Sequence, residues 1–285
     1  MRNLTEHNIT DAVLATLSNT KDARLKEIMT SLVKHLHAFI KEVNLTEVEW
    51  MAGIQFLTTT GHLCDDKRQE FILLSDTLGA TTTKDLINHR KPEEMTEYTI
   101  FGPFYREGAP ELPLRASIAG DRPGEPVIVS GRVLTPDGKP LANALLDVWH
   151  SDADGSYDVQ LPGASLNLRG RFRADTEGRY TFRTIKPAYY PVPTDGPVGK
   201  MLAALGRHPY RPAHIHFIVS ADGYKPLTTE LFVEGDPYLD SDAVFGVRDS
   251  LVVSFMRHDS ADEAKQRGVT APFYTVNYDF VMEPA

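Results

Sequence analysis

The hydrophobic period of this chain changes near residue 100, so one half is built to be buried as helices and the other as strands. Before that point Leu25, Ile28, Met29, Leu32, Val33, Leu36, Phe39, Ile40 and Val43 recur at three- and four-residue steps, an apolar stripe on one helix face. Thr46 and Glu49 have the spacing of a capping box that opens a second helix through Trp50, Ile54 and Leu57. A third is predicted from Asp66 through Phe71, Leu74 and Leu78. Past Phe101-Gly102-Pro103-Phe104 the signals are short β-prone runs at Val127-Ile128-Val129, Leu145 to Trp149 and Tyr180-Thr181-Phe182. Pro136-Asp137-Gly138 and Asp175 to Gly178 punctuate them as turns. Further runs follow at His214 to Val219, Leu227 to Val233, Leu251 to Phe255 and Phe273 to Val281. Many short strands between turns predict an antiparallel sandwich. The chain therefore reads as α+β, with a helical N-terminal domain over residues 1–100 and an antiparallel β-sandwich over residues 101–285.

Composition narrows the partners. The 285 residues carry a formal net charge of -9, with no basic footprint for nucleic acid. A single cysteine, Cys64, excludes an internal disulfide and any multi-cysteine zinc site. The N-terminal residues have no apolar signal core, and no stretch approaches the ~20 apolar residues of a membrane span, so a cytoplasmic location is expected. The helical stripe needs a cover. Its own helices and the sandwich could supply one, but homodimers bury apolar faces of this kind, and a homodimer through the N-terminal helices is expected.

The chemistry concentrates at Arg211-Pro212-Ala213-His214-Ile215-His216. Side chains alternate along a strand, so His214 and His216 point the same way, a natural pair of metal ligands. Two half-buried, hydrogen-bonded histidines would read identically. A cupin would place a glutamate a few residues after the pair, but the next is Glu230, beyond the end of the histidine strand. A barrel amidohydrolase would need alternating helices that this half lacks. Two sites remain: a two-histidine, one-carboxylate Fe(II) centre recruiting Glu230, and a four-ligand centre recruiting tyrosines such as Tyr157 and Tyr190.

Gly102-Pro103-Phe104, Asp147-Val148-Trp149-His150, Asp154-Gly155-Ser156-Tyr157, Arg169-Gly170-Arg171, Arg207 to His216 and Leu227-Thr228-Thr229 together resemble the intradiol ring-cleavage dioxygenases, non-haem Fe(III) enzymes that open catechols between the two hydroxyls. The resemblance covers nearly the whole chain. Within the family, Leu73-Leu74-Ser75-Asp76, Ala109 to Pro113 and Asp240 to Gly246 look most like enzymes acting on hydroxyquinol, with catechol and chlorocatechols as alternative substrates.

The resemblance implies that Tyr157, Tyr190, His214 and His216 hold Fe(III). Phenolates are hard anionic donors suited to a trivalent ion, which lowers their pKa so that they bind deprotonated. It further implies that the diol binds as a dianion in place of the axial tyrosinate, Tyr190, and that the ring rather than oxygen is activated. Arg211 is then expected to stabilise negative charge developing on the ring. The pocket implied comprises Leu73, Asp76, Ile100, Phe101, Gly102, Pro103, Phe104, Val192, Pro193, Arg211, Glu230 and Val244, with Asp76 the candidate acceptor for a third ring hydroxyl. From the residues alone Tyr157, which follows an Asp-Gly turn, reads equally as ordinary sandwich packing, and Tyr189 is an equally available neighbour of Tyr190. The chain departs from the pattern at Glu230, where many members carry glutamine, which leaves the electrostatics of Arg211 open. Enzymes of this kind hold phospholipid at the helical interface. Val129 to Leu134 followed by Pro136 to Leu141 also resembles transthyretin-like sandwich modules that bind without catalysis.

Overall fold

The structure is a computed structural model that describes residues 2–65, 68–90, 92, 94–161 and 166–285. It divides into two compact units, Met1–Thr59 and Thr60–Ala285. The first holds α1 (Ile9–Ala15), α2 (Ala23–Glu42) and most of α3 (Glu47–His62). Asp22 caps α2 by accepting from the Leu25 amide at 3.0 Å. The capping box forms as predicted: the Thr46 amide donates to the Glu49 carboxylate at 2.9 Å, and the Glu49 amide to Thr46 Oγ1 at 3.3 Å. No residue of α2 is buried, and Leu25, Ile28, Leu32, Leu36, Phe39 and Val43 are each 47–53% exposed. The stripe is present and, among the described residues, stays about half exposed. Among the described residues no helix is long and apolar enough to cross a membrane.

The second unit adds α4 (Glu70–Thr77) and α5 (Ala80–Asn88), joined at Gly79 with φ +72°. The start expected for α4, Asp66, lies outside the described residues. A sandwich of two five-stranded sheets follows. One contains β1 (Pro126–Leu134), β4 (Arg179–Ile185), β10 (Met256–His258), β11 (Phe273–Asn277) and β12 (Phe280–Val281). The other has the order β3 (Arg169–Arg173), β2 (Leu145–His150), β7 (His214–Ser220), β8 (Leu227–Val233) and β9 (Val252–Val253). A two-stranded ribbon, β5 (Tyr190–Pro191) with β6 (Tyr210–Arg211), stands apart from both. Helices α6 (Pro197–Ala204) and α7 (Ala261–Arg267) complete the element list.

Period-two patterning builds the core. Val127, Val129 and Val133 of β1 are fully buried, and across the sandwich they meet Leu146, Val148, Ile215, Phe217 and Val219 in one apolar cluster. The sheets are mixed: β1 pairs in parallel with β11 and β12, and β8 with β9, beside the expected antiparallel pairs. These partners are far apart in sequence and joined by long crossovers rather than hairpins, which is what parallel pairing requires. The run from Phe273 to Val281 is split in two. At the break the Tyr278 carbonyl oxygen stands 1.7 Å from where a Cβ on Gly131 would lie, so only glycine admits it. The run from Leu251 to Phe255 forms only the two-residue β9, preceded by a 3-10 turn at Asp249–Leu251.

Candidate metal centre

Strand β7 lies between β2 and β8, so its rigidity is guaranteed on both edges. Ile215, Phe217 and Val219 face the core, each burial contributing about 2 kcal/mol. His214 and His216 share the opposite face, as alternation predicts, and both are about 1% exposed. His216 stands opposite Trp149 on β2 and Glu230 on β8. The indole stacks on its imidazole at 4.6 Å with the planes 4° apart. Gly102, at φ +73°, presses against the ring's far edge, where a Cβ would come within 3.3 Å of His216 Cε1.

The tyrosines arrive on two packed loops. Tyr157 begins a 3-10 turn, Asp158–Gln160, and its amide donates to Gln160 Oε1 at 2.9 Å. Upstream, the Asp152 carboxylate accepts from the amides of Asp154 and Ser156 at 3.0 and 2.9 Å. Tyr190 pairs directly with Arg211 in the β5–β6 ribbon, which ties the second tyrosine to the arginine three residues before His214. A Cβ on Gly155 would stand 2.7 Å from the Tyr189 carbonyl oxygen and 2.9 Å from Tyr190 Cβ, so this glycine lets the loops meet. Tyr189 is 45% exposed and packs instead on Tyr210 and Tyr238.

Four donor atoms converge. Tyr157 Oη, Tyr190 Oη and His214 Nε2 are each 3.4 Å from one another, and the Nε2 atoms of His214 and His216 are 3.1 Å apart. Donors about 2.1 Å from a common centre, at angles of about 90–110°, stand about 3.0–3.4 Å apart, so the spacing fits one transition-metal ion. The protonation states agree. His214 Nδ1 donates to the Pro212 carbonyl at 2.7 Å, which leaves Nε2 as the free lone pair. Burial, then the Arg211 charge, holds His214 well below the ordinary imidazole range; burial and His214 do the same for His216. Burial pushes both phenols up, Tyr157 further by its proximity to Tyr190, while Arg211 opposes the rise at Tyr190. Two phenols with raised pKa and two neutral imidazoles are a set that only a strong cation would deprotonate.

His214, His216 and Glu230 also form a compact two-histidine, one-carboxylate group, with donor atoms within 4.8 Å of one another. Glu230 Oε1 binds Arg211 Nη1 at 2.9 Å and stands 3.3 Å from His214 Nε2 and 3.5 Å from His216 Nδ1, whereas His216 Nε2 faces His214. The carboxylate's hydrogen bond goes to the guanidinium, whose charge it balances. Burial raises its pKa and Arg211 opposes the rise. Arg211 is 2% exposed, reaches His214 Nε2 at 3.2 Å through Nη1, and binds Asp242 through Nε and Nη2 at 3.1 and 3.3 Å.

Around this centre Leu73, Ile100, Val192 and Val244 join Val198 and Leu202 in one apolar cluster. Asp76, 4% exposed, lies one helical turn beyond Leu73 on α4 and feels the Arg211 charge. Phe104 stacks on Tyr157 at 4.5 Å. Phe101 packs on Tyr105 and Trp149 while remaining 43% exposed. Pro103 is exposed and Pro193 half-buried beside Val192. Sequence reasoning passed over Asp242, the Trp149 stack, and the buried pair of Asp158 with Arg169, whose guanidinium also donates to the Phe104 carbonyl at 2.6 Å and so braces the Tyr157 loop. The Asp240 to Gly246 run was a pointer to Asp242 that the strand pattern could not interpret.

Comparison with known proteins agrees with this arrangement. A dioxygenase family model matches residues 100–284, and one for the catechol dioxygenase N terminus matches residues 22–96. A 6-chlorohydroxyquinol 1,2-dioxygenase of Cupriavidus pinatubonensis is 51% identical, over 100% of this chain and 99% of its own length. A hydroxyquinol 1,2-dioxygenase of a Rhizobium species is 49% identical, over 97% of this chain and 95% of its own. The crystal structure of a hydroxyquinol 1,2-dioxygenase from Pseudomonas putida DLL-E4 superposes with a TM-score of 0.92 at 48% identity, covering 98% of this chain and 99% of the other. The chain belongs to the intradiol ring-cleavage dioxygenases, an iron-dependent family of enzymes.

Proposed function

We propose that this enzyme cleaves hydroxyquinol with O2 to a hydroxymuconate that tautomerises to maleylacetate, at a non-haem Fe(III) site held by Tyr157, Tyr190, His214 and His216. The observation that carries the reading is the convergence of two buried phenols and two neutral imidazoles at 3.1–3.4 Å. The substrate class rests on the relatives at 51% and 49% identity, which act on 6-chlorohydroxyquinol and hydroxyquinol. Bound Fe(III) would supply a Lewis-acid centre that chelates the diol as its dianion and makes the electron-rich ring reactive towards O2.

The protein's part is positioning, proton handling and charge. Trp149 and Gly102 fix the His216 plane. Tyr190 Oη, whose buried phenol is reluctant to stay ionised, would take one of the two protons of the incoming diol, the other passing to solvent hydroxide. Arg211, buried beside His214, offers a fixed cation to negative charge on the ring. Leu73, Ile100, Val192 and Val244 wall the ring, Asp76 accepts from its third hydroxyl, and Phe101, Gly102, Pro103, Phe104, Pro193 and Glu230 complete the surroundings.

The reading extends to assembly. The half-exposed α2 stripe supports a homodimer through the N-terminal helices of residues 1–100, with phospholipid in the apolar interface; a cytoplasmic location belongs to the same reading. Purification tests the core of it. Tyrosinate-to-Fe(III) charge transfer makes the protein red, and turnover should favour hydroxyquinol over catechol and chlorocatechols. A colourless, iron-loaded protein would restore the Fe(II) centre with Glu230, and equal turnover of all three diols would remove hydroxyquinol as the substrate.

A further inference from the structure

The Asp242 carboxylate grips Arg211 side-on, and we propose that Asp242 is a positioning residue that sets the guanidinium plane against the donor cluster. The proposal rests on the dioxygenase reading above. Both carboxylate oxygens are used, Oδ1 accepting from Nε at 3.1 Å and Oδ2 from Nη2 at 3.3 Å, a geometry that fixes a planar guanidinium in orientation as well as distance. Nη1, at the other side of the plane, meets Glu230 Oε1 at 2.9 Å and His214 Nε2 at 3.2 Å.

The clamp is itself clamped. Asp242 accepts from the amides of Val244 and Gly246 at 3.3 and 2.9 Å, which closes residues 242–246 into a tight turn. Arg207 donates to the Ala243 carbonyl at 3.0 Å and to the Thr77 carbonyl at 2.6 Å, and the Thr82 hydroxyl donates to the Val244 carbonyl at 3.1 Å. The turn is thereby tied to α4 and α5. Phe245 is held at φ +60°, a conformation that costs an aromatic residue of order 1 kcal/mol and persists only where the surroundings enforce it. A Cβ on Gly246 would stand 2.8 Å from Arg211 Nη2, 3.1 Å from Asp242 Oδ2 and 3.3 Å from Glu230 Oε2. Gly246 is not at positive φ, so the guanidinium, not the backbone, needs the missing side chain there. The same turn carries Val244, a wall of the pocket, so the arginine and the wall move as one unit.

Two variants perturb the clamp differently. Asp242→Asn replaces one acceptor oxygen with an amide that faces guanidinium donors. Gly246→Ala keeps the carboxylate and displaces Nη2. In the iron-loaded enzyme, kcat for hydroxyquinol should fall roughly 10- to 100-fold in Asp242→Asn and less in Gly246→Ala, with KM within about threefold and the visible band intact. Independently of turnover, in protein loaded with diamagnetic Ga(III) in place of iron, the Arg211 Nε–H NMR signal, assigned by its loss in Arg211→Lys, should exchange slowly in the wild type and fast in Asp242→Asn. In the Arg211→Lys background Asp242→Asn should add no further loss. Wild-type kcat, or unchanged Nε–H protection, in soluble Asp242→Asn overturns the proposal. If that variant does not fold, a wild-type kcat in Gly246→Ala overturns it. Full activity in Arg211→Lys removes both the role given to Arg211 and this proposal, whereas an impaired Arg211→Lys beside a normal Asp242→Asn removes this proposal alone.

Discussion

Replacing Asp76 by alanine should collapse much of the discrimination between hydroxyquinol and catechol. Asp76 follows Leu73 by one turn of α4, so it enters the apolar cluster of Leu73, Ile100, Val192 and Val244 from the same helix face. Burial raises its pKa, while a hydrogen bond with Thr81 and the Arg211 charge favour the carboxylate. Thr81 uses one of about four lone-pair sites, which leaves acceptor capacity for a ring hydroxyl. A hydrogen bond to a charged acceptor contributes about 1.5–3 kcal/mol. At about 1.4 kcal/mol per factor of ten, that is roughly 10- to 150-fold. Catechol lacks the donor and leaves that acceptor site unused, so the bond favours hydroxyquinol alone. In Asp76→Ala the ratio of kcat/KM values for the two diols should therefore shrink roughly 10- to 100-fold, nearly all through hydroxyquinol. Asp76→Asn, which keeps an uncharged acceptor, should fall between. Steady-state kinetics on both diols, with the visible band recorded to show an intact centre, decides the matter. An unchanged ratio, or equal losses on both substrates, refutes the reasoning.

Tyr157→Phe and His216→Ala should each lose iron or activity, measured as metal content and visible absorbance; both variants at full iron and full turnover would defeat the ligand set. His150 is buried between the Ser151 carbonyl and the Thr184 hydroxyl, and burial depresses its pKa to about 4. The unfolded chain protonates it below its ordinary value near 6.5, so its stability contribution is full above that pH. As pH falls from there towards about 4, about 3 kcal/mol is lost, which denaturant unfolding at stepped pH would show as about one extra proton in the slope; an equal slope in His150→Gln removes the assignment. Leu36→Glu with Phe39→Glu should yield monomers in sedimentation, and an unchanged species would place the subunit contact elsewhere.

The strands that build the centre were legible because their residues obey one rule each. His214 to Val219 alternates polar site and apolar core, and the observed β7 does the same. Leu227–Val233 was recovered to the residue. What escaped was structure set by distant partners. β3, Arg169–Arg173, carries three arginines and no β-prone apolar run, yet Arg169 is buried because Asp158 neutralises it and the Phe104 carbonyl takes another of its donors. Parallel pairing of β1 with β11 has no local signal, since strand direction depends on the path of the chain between them. Asp242 lies in a turn whose composition resembles any surface loop, and its value lies in facing an arginine 31 residues away. Tyr157 and Tyr190 were separable from Tyr189 only through the resemblance. The structure supplies the physical reason: the loop at Gly155 packs on the Tyr190 backbone and turns Tyr189 outward.

Glu230 and Asp242 give one guanidinium two buried carboxylates, so the shell around Arg211 is over-compensated by a negative charge when both are ionised. Such a shell resists a dianionic diol, because Glu230 Oε1 stands as close to His214 Nε2, at 3.3 Å, as Arg211 Nη1 does at 3.2 Å. Glu230→Gln conserves shape and the acceptor for Nη1 while removing one negative charge. A unit charge about 5 Å away is worth about 3 kcal/mol at an effective dielectric of about 20, and the adjacent Arg211 offsets much of it, leaving on the order of 1–2 kcal/mol. The variant should therefore bind catechol roughly tenfold more tightly, by anaerobic titration of the visible band. Unchanged diol affinity would mean that Glu230 already carries a proton beside Arg211, which the raised direction of its pKa permits. Weaker binding would overturn the argument, because it would show the carboxylate attracting the diol through a hydrogen bond rather than opposing it through charge.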